Sequence, residues 1–255
     1  MSVFRPTWVE KIQVMDGMGR RTLLAGAASL ALGGCAATET TLRAVPVATE
    51  SQAYPDTPKA AFDRLMTGNR RWITGALQHP DRDPTRSELL ATKQKPYGVV
   101  LSCIDSRVPP ELVFDTGLGD LFVMRTGGQA IGPVVTGSVE YGPLTGGTPL
   151  IVVLGHQRCG AVEAAYQALK DGKPLPGNLQ AIAEALRPAY EQTTREGSAD
   201  PIEAMTKHQV TLTADALRGN GGLEPLVGES KLAVVAAYYS LDTGQVEVLN
   251  GAPVS

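Results

Sequence analysis

The sequence predicts an α/β fold: a mostly parallel β-sheet flanked by helices, with a C-terminal helical and β-hairpin extension. Three observations carry this reading. The runs YGVVLSC (97–103), DLFVMR (120–125) and TPLIVVLGH (148–156) are short and apolar almost throughout, the pattern of strands covered on both faces. Segments of mixed helical character, PPELVFD and VVTGSVEYG, lie between them, so strand and helix alternate. The chain closes with KLAVVAAYYSLDTGQVEVL (231–249), two further strand-like runs around an Asp-Thr-Gly turn.

In chain order, the first segment reads as an export signal, residues 1–34. Arg20-Arg21 precedes TLLAGAASLALGG, an apolar stretch shorter than the ~20 residues a permanent bilayer-spanning helix needs. The paired arginines resemble the twin-arginine route, and Leu32-Gly33-Gly34-Cys35 resembles a bacterial lipobox, in which Cys35 is acylated and becomes the first residue. A plain secretory peptide or an uncleaved anchor is the alternative. The lipoprotein reading puts the protein in the periplasm or outer cell envelope, held on a membrane surface by its N-terminal lipid. Residues 35–55 are then a lipidated N-terminus and a flexible Ala/Thr/Ser/Pro tether. A single domain follows over 56–255.

That domain opens with Thr57-Pro58, an N-cap and a first-turn proline, and Phe62, Leu65, Trp72 and Ile73 recur at helical spacing. After the third strand, residues 159–174 favour helix until Gly172 and Pro174 stop it, and 178–197 and 201–222 read as two more helices. The composition, 43% hydrophobic and 19% charged with a formal charge of −3, is that of an ordinary globular protein. No Lys/Arg-rich run or basic aromatic patch is present, which excludes nucleic acid as an expected partner.

In open parallel sheets, ligands bind beyond the carboxyl ends of the strands. Cys103 ends the first expected strand, His156 ends the third, and Cys159 starts the next helix. Two thiolates and an imidazole are a catalytic zinc set whose fourth tetrahedral position is left for water. With Cys35 lipidated, both other cysteines of the chain's three belong to this site. A Cys103–Cys159 disulfide is the other possibility in an exported protein.

Cys103-Ile104-Asp105-Ser106-Arg107, followed by Gly155-His156-Gln157-Arg158-Cys159-Gly160, resembles the signature of the β-class carbonic anhydrases, and the similarity runs from about Asn69 to the last strands. The resemblance implies a β-carbonic-anhydrase-like fold and one Zn2+ per chain on Cys103, His156 and Cys159. It also implies catalytic roles for Asp105 and Arg107 beside the metal. Zinc-bound hydroxide would hydrate carbon dioxide reversibly to bicarbonate and a proton. Gln94 matches a substrate hydrogen-bond donor of plant-like members. Phe122 and Tyr141 match residues lining the substrate pocket near a dimer interface, with the Gly160 backbone beside them. Val100 stands where another branch has the tryptophan of an inhibitory bicarbonate site, so the chain resembles the plant-like branch. Arg125-Thr126-Gly127-Gly128-Gln129 departs from the family's usual Arg-Asn pattern. The family assembles as homodimers or higher homo-oligomers. Relatives that hydrolyse carbon disulfide or carbonyl sulfide share the motifs, and a structural zinc site closed by Asp105 is the non-enzymatic alternative. His79 and His208 receive no role.

Overall fold

The computed structural model describes residues 54–254. The expected export signal, Cys35 and nearly all of the expected tether lie outside the described residues. Among the described residues, no helix is long and apolar enough to cross a membrane.

Helix α1 (Pro58–Thr74) starts where the Thr57 hydroxyl accepts the Ala60 N–H, and it stops at left-handed Gly75 (φ 69°). α2 (Pro84–Leu90) is capped by Asp83 and precedes β1 (Gly98–Cys103). The short α3 (Pro110–Val113) leads to β2 (Leu121–Thr126), and α4 (Pro133–Tyr141) to β3 (Leu150–His156). Then come α5 (Gly160–Asp171), α6 (Leu179–Ala185), α7 (Arg187–Glu196), α8 (Pro201–Arg218) and α9 (Glu224–Gly228). β4 (Ala233–Tyr239) and β5 (Val246–Asn250) form the closing hairpin.

The sheet order is β2-β1-β3-β4-β5; β5 is antiparallel to β4 and every other pairing is parallel. The expected mostly parallel α/β fold is the one observed. β1 and β3 are buried along their whole length, which is why their sequences are apolar without alternation. Leu65, Val100, Phe114, Leu154 and Val235 form the core under α1 and α3, while Leu101, Val153, Val210 and Leu217 form the core under α8. Each such side chain contributes about 1.5–3 kcal/mol by burial.

Asn69 ties the first core together. Its amide donates to the carbonyls of Val113 and Gly244, and its carbonyl accepts the Val246 N–H, so α1 is pinned to α3 and to the hairpin.

Two expectations change. Residues 178–197 form two helices, because Pro188 in the first turn of α7 cannot continue the hydrogen bonding of α6. α2 went unread because none of its seven residues is buried, so it has no apolar face to signal it.

Candidate metal centre

The strand order makes the crevice between β1 and β3 a topological switch point, since the chain leaves β1 toward β2 on one side and returns to β3 on the other. Cys103 and His156 are the last residues of these two neighbouring strands, and Cys159 is the N-cap of α5. Their three ligand atoms lie within 4.8 Å of one another, and all three side chains are buried.

The donor set fits one tetrahedral ion. Both cysteines are free thiols, with 3.7 Å between the sulfurs. Two sulfurs each ~2.3 Å from one zinc ion at the tetrahedral angle stand about 3.8 Å apart. The ring of His156 is oriented by its neighbour: Nδ1 lies 3.0 Å from the Gln157 carbonyl, which can only accept, so Nδ1 carries the proton. Nε2 is left fully buried, with no hydrogen-bond partner among the described residues. A buried polar atom without a partner is costly, and a metal ion satisfies it.

The two thiols are tuned in opposite directions. Cys103 is pushed down to about 4 by the hydrogen bond from Cys159, with His156 and the N–H groups of Gly128 and Asp105 adding to it. Cys159 is pushed up by holding that shared proton and by burial, while the N–H groups of Val162 and Ala161 at the start of α5 work in the opposite direction. The two thiols thus share one proton, and ligation of a cation would require both to be deprotonated.

Asp105 and Arg107 stand beside this cluster. The Arg107 guanidinium donates to both Asp105 oxygens, at 2.9 and 2.7 Å, and its backbone N–H donates to Oδ1 at 3.0 Å. These bonds hold the Asp105 carboxyl far below the usual carboxylate range. Asp105 Oδ2 lies 3.9 Å from His156 Nε2, close to the point where an ion would sit. Gly160, the first residue of α5, has open space around its Cα.

Gln94, Phe122 and Tyr141 sit elsewhere in the chain. Phe122 pairs with Val99, four rungs from the Cys103–Thr126 rung, or about 13 Å along the strands. Tyr141 packs edge-on against Phe122, with centroids 5.8 Å apart, and is half exposed. Gln94 is exposed ahead of β1, at this same amino edge. Within one chain these three residues are not brought to the cluster.

Three contacts escaped the sequence reading. Arg125, at the outer edge of the sheet, donates to the carbonyls of Cys103 and Asp105 and holds the ligand loop. Its only sequence signal was a charge closing an apolar run. The departing segment after it forms a turn with Gly128 and Gln129 both left-handed (φ 60° and 54°), which aims the Gly128 N–H at the Cys103 sulfur. Arg158 and Asp242 pair bidentately across 84 residues. Of the two histidines without a role, His208 bridges Thr193 and Glu196, and His79 faces Asp115.

The mostly parallel sheet thus places a buried Cys2His cluster that could hold one metal ion at its switch point, with a clamped carboxylate beside it. Residues 98–246 match the family model described as carbonic anhydrase. Carbonic anhydrase 2 of Mycobacterium tuberculosis is 38% identical over 188 residues, covering 74% of this chain and 91% of that one. The carbonic anhydrase of Mycolicibacterium smegmatis is 37% identical, covering 75% and 93%. Among solved structures, a tetrameric β-carbonic anhydrase from Sordaria macrospora superposes with a TM-score of 0.61 at 22% identity, covering 76% of this chain and 98% of that one. The chain belongs to the carbonic anhydrase family, and its fold is that of the β class.

Proposed function

We propose that the protein interconverts carbon dioxide and bicarbonate at a zinc ion held by Cys103, His156 and Cys159. The observation that carries this reading is the unpartnered His156 Nε2 facing two thiols at tetrahedral spacing, next to a carboxylate restrained from joining them. Bound there, zinc lowers the pKa of a water from about 15.7 toward neutrality and so supplies a nucleophile near pH 7.

The chain's own groups do the rest. Asp105, ionised throughout the neutral range, accepts the proton of the attacking oxygen in a hydrogen bond and turns a lone pair toward the carbon. Arg107 keeps both carboxylate oxygens occupied and off the metal. Arg125 and the Gly128 N–H fix the Cys103 loop.

Carbon dioxide is small and apolar, so its pocket needs apolar walls and one donor. Phe122, Tyr141 and Gln94 have that chemistry, and we assign them to the site of a second copy of the chain. Among the described residues β2 leaves its outer edge unpaired, and Val134, Tyr141 and Leu144 expose apolar surface, as a homodimer interface requires. The tetrameric relative supports an assembly of this kind. Val100, standing where another branch of the family has the tryptophan of an inhibitory bicarbonate site, supports the plant-like branch. The twin-arginine and lipobox-like leader supports export and lipid anchoring at Cys35, placing the reaction in the periplasm or outer envelope.

Stopped-flow hydration of carbon dioxide by the full-length, zinc-loaded chain tests the reading, with sulfide release from carbonyl sulfide measured in parallel. Hydration supports it. Sulfide release without hydration, or neither, contradicts it.

A further inference from the structure

We propose that Asp242, in the turn between β4 and β5, is a positioning residue for the segment that carries His156 and Cys159. The inference rests on the metal-site reading above and concerns what holds that site in shape.

The two residues between the ligands both reach Asp242. Arg158 donates from Nη1 to Oδ2 at 3.0 Å and from Nη2 to Oδ1 at 2.7 Å. Gln157 donates from Nε2 to Oδ2 at 2.9 Å, and its Oε1 accepts the Asp242 N–H at 3.3 Å and the Ser240 hydroxyl at 3.4 Å. The Gln157 backbone N–H donates to the Tyr239 carbonyl at the end of β4. Both interior positions of the His156–Cys159 segment are thus tied to one carboxylate 84 and 85 residues later in the chain.

The segment needs such a tie. Arg158 holds a left-handed backbone (φ 52°), a conformation that strains a non-glycine residue. Its carbonyl accepts Arg107 Nη2 at 3.3 Å, so the segment also braces the guanidinium that clamps Asp105. The Gln157 carbonyl is the acceptor that orients the His156 ring. A shift of Gln157 and Arg158 would therefore move the imidazole and loosen the Asp105 clamp together. The Arg158–Asp242 pair is more than half exposed, so its own contribution to stability is small, and its effect is on geometry. Arg158 holds the Asp242 carboxyl below its ordinary range, so the pair is charged at neutral pH.

The experiment compares full-length wild type with Asp242→Ala, Arg158→Ala and the double variant. It reads zinc affinity by chelator competition, the visible spectrum of the cobalt(II)-substituted protein, and the melting temperature. Removing an outer group that orients a metal ligand typically weakens metal binding 10- to 100-fold. Asp242→Ala is expected to weaken zinc about 10-fold and alter the cobalt spectrum, with little change in melting temperature. The double variant is expected to lose no more than Asp242→Ala alone. Zinc affinity and cobalt spectrum unchanged from wild type would overturn the proposal, and so would a lowered melting temperature with both of these intact. A wild type that binds zinc without hydrating carbon dioxide would strike only the proposed function; one that binds neither ion would overturn both.

Discussion

Asp105 and Arg107 are two residues apart, and the bidentate bond between them holds the carboxylate 3.9 Å from His156 Nε2, where on the proposed reading it would be kept from ligating the metal. In Arg107→Ala we expect Asp105 to become the fourth zinc ligand and hydration to fall at least ~100-fold, the order seen when a stabilising group is removed from a catalytic site. X-ray absorption at the zinc edge of that variant, together with its hydration rate, checks this; wild-type activity with no added carboxylate ligand would contradict it. A second residue prediction concerns stability. Asp120 is buried, and burial, aided by the charge of Asp81, pushes it up to about 6. Between about pH 4 and 6 the folded chain then binds more protons than the unfolded chain, so this group's contribution to stability falls as pH rises through the window. Asp120→Asn should match wild type near pH 4 and exceed it by on the order of 2 kcal/mol above pH 7, by denaturant titration at both pH values. The site was legible at this scale where chemistry-bearing residues end apolar runs, as Cys103 and His156 do. It was not legible where a contact spans the chain, as with Asp242 and Arg158.

Gly155 fixes the approach of α8 to β3. A Cβ there would lie 2.4 Å from Val210 Cγ2 and 3.3 Å from Thr206 Cγ2, both on α8. Gly155→Ala must therefore displace the Val210 side chain, or α8 with it, from the strand that ends in His156. We expect about 1–3 kcal/mol of destabilisation, read by denaturant titration, together with weaker zinc binding; a variant as stable as wild type would contradict the close packing. The strands were readable because burial on both faces makes β1 and β3 apolar throughout. β2 read the same way although each of its residues is only partly buried, since its apolar side chains serve an edge. The α6–α7 break was written in Pro188, but two short helices and one long one share the same periodicity on either side of it. α2 buries nothing, so no pattern could announce it.

Across the molecule, one chain separates the proposed metal ligands from the proposed pocket residue Phe122 by about four strand rungs. If a second copy supplies Phe122, Tyr141 and Gln94, the two sets complement in trans. Cys159→Ser lacks the metal site and Tyr141→Ala lacks part of the pocket, yet a mixed dimer contains one site with both intact. Unfolding and refolding the two variants together should recover hydration well above the sum of the separate preparations, and no recovery would contradict a shared site. The central claim, that Cys103, His156 and Cys159 hold one zinc ion on which the reaction depends, is tested most directly by titrating metal-free full-length protein with zinc while following carbon dioxide hydration. A linear rise in rate that breaks at one equivalent per chain, and is absent in Cys159→Ser, is the expected result. Hydration independent of zinc, or a zinc-saturated chain with no hydration, would contradict it.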